Sequence, residues 1–306
     1  FTLTGDQRRA AWDIIQNFDT ARPMNRLLQG DVGSGKTIVA GLAAYAAATH
    51  GYQSAIMAPT ELLARQHAET LNTLLSPHGV SVGLLVGSIK KSSKDALKRE
   101  IASGSIAVTV GTHALIQDAV SFHKLGFVAI DEQHRFGVSQ RQKLLGKSEH
   151  LPHLLSMTAT PIPRSLQLTM YGDLDVSILR EMPAGRKPII TKVMSPTSRA
   201  TLYSSIDQEI AQGRQAYVVC PLIEESVSPD MQLKSVIAEY ERLKKTALKH
   251  RRVGLLHGAM KADEKDTVMR QFAGGELDVL VATTVVEVGV DVPNATVMVI
   301  GGAERF

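Results

Sequence analysis

Eight consecutive residues, Gly30-Asp31-Val32-Gly33-Ser34-Gly35-Lys36-Thr37, fit the pattern G-x-x-x-x-G-K-[ST]. Glycines at these positions let the backbone close around a phosphate with its N–H groups turned inward, and a helix starting there adds positive potential. Lys36 would reach the β- and γ-phosphates of ATP, and the Thr37 hydroxyl would ligate Mg²⁺. Apolar Leu27-Leu28 stand in front and an alanine-rich segment follows, which is the strand, loop and helix setting that this chemistry needs. Composition alone yields roughly 0.01 accidental matches over about 300 starting points, so a bare glycine-rich turn is a poor rival.

A second candidate group lies further along, where the apolar run Phe127-Val128-Ala129-Ile130 ends in Asp131-Glu132-Gln133-His134. A carboxylate at the tip of a buried strand beside a P-loop strand can hold Mg²⁺, and the next one can orient and deprotonate a water. Asp131 is therefore the metal residue and Glu132 the general base. A solvated acidic loop is the rival reading, disfavoured because two independent signals fit one reaction. His134, taken alone, reads as a structural loop histidine. Thr4-Gly5-Asp6-Gln7 reads first as a capping box, with Thr4 as N-cap and Gln7 reaching back; a glutamine that reads an adenine edge is the alternative.

These side chains need a scaffold that brings strand tips together. Short apolar runs alternate with helix-length segments at Arg26–Gln29, Ser54–Met57, Val82–Val86, Ile106–Val110, Phe127–Ile130, His153–Met157 and Asp175–Leu179. The alternation resumes at Gln215–Cys220, Arg252–Leu256, Asp278–Ala282 and Ala295–Ile300. Buried strands with helical crossovers imply parallel sheets. Between the two series lies the Pro/Gly-punctuated basic stretch 182–188, so the chain divides into residues 1–185 and 186–306. No short-period repeat or low-complexity tract is evident. With 306 residues and 44% hydrophobic composition, the chain is too large for one core and too apolar for disorder. One cysteine excludes an internal disulfide framework, and the longest apolar stretch, 38–48, is too short to span a membrane. Both point to a cytoplasmic protein. The formal charge of +4 tolerates a polyanionic partner without demanding one. A start at Phe1 and a stop just after an apolar run suggest an excerpt from a longer protein.

Taken in order, the motifs resemble those of superfamily 2 helicases, and within them the RecG family of branched-DNA translocases. The resemblance runs through Thr4–Gln7, Gly30–Thr37, Ala58–His67, Val110–Leu115, Asp131–Gly137, Met157–Arg164 and Val281–Asp291. It implies an α/β fold of two tandem RecA-like P-loop NTPase domains with parallel sheets, the second truncated. It also implies an ATP-hydrolysing DNA helicase with ATP and Mg²⁺ as cofactors, acting as a monomer on branched or double-stranded DNA, without a membrane. Under this resemblance Gln7 becomes an adenine reader as well as a cap, and His134, Thr158 and Thr160 couple the γ-phosphate to the DNA side. Thr60, Thr112 and Thr283 become DNA-backbone contacts, while Glu287, Gly289 and Asp291 face the cleft between domains. Taken singly, Thr60 and Thr112 still read as helix caps.

The transcription-repair coupling family is the near alternative; it shares the Thr-Ala-Thr-Pro-Ile-Pro-Arg run but differs around Gly30–Thr37 and Asp131–Gly137. Two family features are missing: the arginine-finger segment after 281–291 and the junction-gripping wedge domain. An isolated piece of this kind would bind ATP and duplex with little turnover. Three other features read as structural: Cys220 as a buried small side chain, Trp12 as core, and the basic run 242–252 as a solvated helix end.

Overall fold

A computed structural model describes residues 2–20, 22–148, 150–160, 174–182, 189–220, 229–283 and 292–301. The chain forms two compact units, Phe1–Lys187 and Pro188–Phe306.

In the first unit, seven described strands form one parallel sheet. They are β1 (Asn25–Gly30), β2 (Gln53–Met57), β3 (Val82–Leu85), β4 (Val108–Gly111), β5 (Leu125–Asp131), β6 (His153–Thr158) and β7 (Asp175–Leu179), in spatial order β3-β4-β2-β5-β6-β1-β7. Central strands of a helix-covered parallel sheet are buried on both faces, so β2 and β5 are buried almost continuously rather than in alternation. The described helices are α1 (Gly5–Phe18), α2 (Lys36–Thr49), α3 (Glu61–Leu75), α4 (Lys91–Ser103) and α5 (Val138–Leu145). Helix α2 buries Val39, Ala40, Gly41, Ala43, Ala44 and Ala47. Its small residues allow close packing: a Cβ at Gly41 would meet Leu71 of α3 at 2.7 Å.

Helix α1 is fastened to the end of β7 by a reciprocal clamp. The Asp6 carboxylate accepts from the N–H groups of Arg180 (2.8 Å) and Glu181 (3.1 Å), while Glu181 accepts from the Gly5 N–H at 2.8 Å. Those backbone donors hold the Asp6 carboxyl below its ordinary pKa. The face of α1 that turns inward carries Gln7, Ala10, Ala11 and Ile14, the i, i+3, i+4, i+7 set. Trp12 falls off that stripe and is 62% exposed, so it is not a core residue.

The second unit carries β8 (Gln215–Val219), β9 (Val253–Leu256), β10 (Val279–Ala282) and β11 (Ala295–Ile300), parallel and in the order β11-β8-β10-β9. Its described helices are α6 (Arg199–Ala211), α7 (Pro229–Lys245) and α8 (Ala262–Ala273). The core gathers Tyr203, Ile206, Ile210, Val218, Cys220, Leu243, Val253 and Val281. Strand β11, expected to be buried, lies at the edge of the described sheet and alternates, leaving Met298 and Ile300 exposed. The basic run 242–252 is not simply a solvated helix end. Arg242 pairs with Glu239, Arg251 with Asp207 and Arg252 with Asp278.

The two sheets share an internal duplication with a period too long for a local reading. Residues 82–112 match residues 253–283 at a constant offset of 171, without gaps, and 14 of the 31 pairs are identical. Strand order β3-β4-β2-β5 in the first unit repeats as β9-β10-β8-β11 in the second. Side-chain contacts repeat as well. The Gln53 amide donates to the carbonyls of Ile101 (2.9 Å) and Ile106 (2.7 Å), and the Gln215 amide donates to those of Phe272 (2.6 Å) and Leu277 (2.7 Å), the two acceptors again lying 171 residues on. Lys94 likewise caps the Gly87 carbonyl as Lys265 caps that of Gly258. Each glutamine satisfies two buried carbonyls at the helix-to-strand turn behind its sheet, a requirement imposed by burial.

Candidate active site

The P-loop connects the tip of β1 to the start of α2. Gly33 and Gly35 have φ of 79° and 88°, the left-handed region that glycine enters without a Cβ penalty. Gly30 has a different reason to be glycine: a Cβ there would stand 2.5 Å from the Ser34 hydroxyl oxygen. The loop is braced from within by Val32 N–H to the Asp31 carboxylate (2.8 Å) and Ser34 N–H to the Asp31 carbonyl (3.1 Å). Helix α2 begins at Lys36, and its first N–H groups have no intrahelical acceptor, as an anion site requires. The Lys36 ammonium donates to the carbonyls of Gly30 (2.7 Å) and Asp31 (3.2 Å). Burial lowers its pKa, while the charges of Asp131, Glu132 and Asp31 act in the opposite sense.

Gln7 holds this loop from α1. Its Oε1 accepts from the Thr4 N–H at 2.9 Å, its own N–H donates to the Thr4 hydroxyl at 3.2 Å, and its Nε2 donates to the Ser34 carbonyl at 2.8 Å. The capping box is therefore made, and the same side chain latches the P-loop. Gln7 is 2% exposed. A Cβ at Gly35 would lie 2.3 Å from its Nε2.

Strands β5 and β6 adjoin β1 through the parallel ladder, which brings Asp131 at the tip of β5 to the P-loop side of the sheet. One oxygen of Asp131 accepts from the Glu132 N–H at 3.1 Å and the other lies 2.8 Å from Nε2 of His67. Glu132 has φ 47°, the positive-φ non-glycine residue among the described ones. A side chain held in that region costs about 1–2 kcal/mol, and such strain gathers at sites of function. The strained turn throws the Glu132 carboxylate back over the strand tips. There Oε1 accepts from the Ala159 N–H at 3.3 Å, and Oε2 is buried, has no hydrogen-bond partner among the described residues and lies 3.5 Å from Nδ1 of His134. Where β6 ends, the Thr158 and Thr160 hydroxyls are 2.9 Å apart, and the Thr160 N–H donates to the Thr158 hydroxyl at 3.2 Å.

Thr60 is the N-cap of α3 and accepts from the Leu63 N–H at 3.3 Å, so the cap reading holds for it. Thr112 precedes the 3₁₀ turn His113–Ile116 without a side-chain cap bond. Thr283 follows β10 with a buried hydroxyl that has no partner among the described residues. Thr112 and Thr283 are matched positions of the duplication. Glu287, Gly289 and Asp291 lie outside the described residues.

One residue beside the metal candidates was absent from the sequence-derived set. His67, two turns into α3, touches both Thr37 and Asp131 (3.3 and 2.8 Å). Its signal was available only as helical period: 63, 64, 67, 68 and 71 form the buried stripe of α3.

A P-loop at one strand tip, an Asp-Glu pair at the tip of a strand two places away, and a second unit repeating the sheet order define tandem RecA-like domains. The chain belongs to the DEAD/DEAH box helicase family, which it matches over residues 4–169, and residues 199–305 match the helicase conserved C-terminal domain. Over its whole length the chain is similar to the ATP-dependent DNA helicase RecG of Aquifex aeolicus (52% identity, 38% of that protein) and of Bacillus subtilis (51% identity, 44% of that protein). The chain thus spans less than half the length of these relatives. A solved structure of RecG bound to a three-way DNA junction superposes with a TM-score of 0.84, at 45% identity over 100% of this chain and 39% of that one. Mss116p bound to single-stranded RNA and AMP-PNP (TM-score 0.70, 16% identity, 98% of this chain and 64% of that one) shares the fold alone. Among the described residues, no helix is long and apolar enough to cross a membrane.

Proposed function

We propose that this chain is the motor segment of an ATP-dependent DNA translocase that remodels branched DNA, such as stalled forks and Holliday junctions, in recombination and repair. The observation that carries the reading is Glu132. It stands on a strained turn beside the P-loop with one carboxylate oxygen anchored by a backbone N–H and the other buried and without a hydrogen-bond partner among the described residues. A buried, unsatisfied carboxylate oxygen is suited to accept a proton from a water attacking a phosphate. The similarity to RecG, and the junction in that neighbour's structure, support branched DNA as the substrate.

ATP phosphates would lie against the N–H groups of the P-loop and the start of α2, with Lys36 turning from the loop carbonyls to the γ-phosphate. Gln7 would offer an adenine edge the second hydrogen of its amide and the second lone pair of its oxygen. Thr37 and Asp131 form a hydroxyl and carboxylate donor set. Such oxygen ligands suit Mg²⁺, which keeps several waters and binds through one or two carboxylates plus substrate phosphates. Bound there, Mg²⁺ supplies charge neutralisation at the phosphates.

His134 beside Glu132, and the Thr158–Thr160 pair beyond Ala159, form a polar chain leading away from the phosphates, which supports a coupling role for all three. Thr112 and Thr283 occupy matched positions in two copies of one segment, which supports equivalent phosphate contacts from each unit. Thr60 sits at a helix start whose free N–H groups suit the same task. A DNA substrate and a chain without disulfides fit the cytoplasm. Glu132→Gln in the full-length protein tests the reading. Nucleotide binding within threefold of wild type, with turnover lowered at least 10³-fold, is expected; retained turnover would exclude Glu132 as the base.

A further inference from the structure

His67 lies between the two residues assigned to Mg²⁺. Its Nδ1 is 3.3 Å from the Thr37 hydroxyl and its Nε2 is 2.8 Å from a carboxylate oxygen of Asp131. The residue is 8% exposed, on the buried stripe of α3, with little room for its ring to move. The two contacts demand different things of the ring. Ionised Asp131 can only accept, so Nε2 must carry a proton. A threonine hydroxyl that gives a lone pair to a cation keeps its proton and needs an acceptor for it, which an unprotonated Nδ1 supplies. One neutral tautomer, protonated at Nε2, meets both demands and fixes the rotamers of both ligands.

We propose that His67 is a positioning residue for the Mg²⁺ of the nucleotide site: it holds the Thr37 hydroxyl and the Asp131 carboxylate in ligating orientation without itself binding the metal. The inference rests on the ATP reading above. Groups that orient metal ligands in this way typically change metal affinity by about 10–100-fold when removed. The role differs from that of Lys36, whose partner is phosphate, so the loss should be confined to the metal-dependent part of nucleotide binding.

The test uses the full-length protein and a fluorescent non-hydrolysable ATP analogue, titrated in EDTA and then against Mg²⁺. For His67→Leu, affinity in EDTA should stay within twofold of wild type, while the Mg²⁺ concentration for half-maximal binding rises about 10–100-fold. His67→Gln, which keeps a donor and an acceptor, should recover most of that shift. Equal weakening with and without Mg²⁺, or an unchanged Mg²⁺ requirement, would overturn the proposal. Wild type that binds no analogue under either condition would instead remove the ATP reading, and this one with it.

Discussion

The Ala159 N–H donates to the Glu132 carboxylate at 3.3 Å, joining the strained turn after β5 to the segment that leaves β6. Sequence places these residues 27 positions apart; parallel pairing of β5 with β6, Asp131 opposite Met157, makes them neighbours. A carboxylate anchored on one oxygen can keep the other in place when the phosphate side changes. The Thr158–Thr160 pair flanks that anchor, so a hydrogen bond ties the Glu132 carboxylate to this segment.

Gln7 should matter to stability before it matters to ATP. Gln7→Ala removes the reciprocal half of the capping box and the Ser34 latch, an expected loss of about 1–2 kcal/mol in chemical denaturation. Gly35→Ala should be worse for nucleotide binding, because a side chain at φ 88° is strained and its Cβ would press on Gln7 at 2.3 Å. More than a tenfold loss of affinity for an ATP analogue is expected. A Gly35→Ala protein that binds like wild type would show that the loop geometry is not needed.

Cys220 should be chemically quiet. Burial pushes its thiol up to about 11, with the nearby Glu239 charge adding to the effect. Against the ordinary value of 9.0, that leaves roughly a hundredfold less thiolate near pH 8. Labelling by a thiol-specific chromogenic reagent should be slow in the native chain and immediate in denaturant. Fast labelling of the native protein would place Cys220 outside the core.

His153 should make the first unit sensitive to mild acid. Its Nδ1 accepts the Met24 N–H at 3.0 Å, and burial lowers its pKa below 6.5. An imidazole with a depressed folded pKa is neutral in both states well above 6.5, so its contribution is full there. As pH falls through the unfolded value, the unfolded chain takes up a proton that the folded chain refuses, and stability is lost until the folded value is passed. His153→Asn, which keeps an acceptor for Met24 but cannot titrate, should flatten the melting temperature's pH dependence as pH falls below about 6.5. An identical slope in the variant would assign the effect to other groups.

Thr112 and Thr283 should behave alike towards DNA. Conversion of either to valine keeps shape and removes a hydroxyl. Each should weaken binding about three- to tenfold, equally for linear duplex and junction, because backbone contacts carry no sequence or branch information. Loss at one position only would deny the functional equivalence of the two copies.

Much of the scaffold was legible in the chain. The eleven described strands overlap the short, largely apolar runs that alternate with helix-length segments, since strands under helical crossovers bury most of their side chains. What was illegible depends on longer range. The exposure of Trp12 depends on which face of α1 meets α2 and β7, and the alternation in β11 on its place at a sheet edge. The duplication spans 171 residues, far beyond the window in which periodicity is read. His67 escaped because α3 drew attention at its cap, Thr60, whereas the histidine acts two turns later through contacts to residues 30 and 64 positions away.

The decisive measurement is ATP turnover by the full-length protein, wild type beside Glu132→Gln, without DNA, with linear duplex and with a three-way junction. Turnover should be low alone, raised by duplex, raised most by the junction, and lost in the variant. Turnover indifferent to DNA, or stimulated by linear duplex as strongly as by the junction, would contradict a branched-DNA motor.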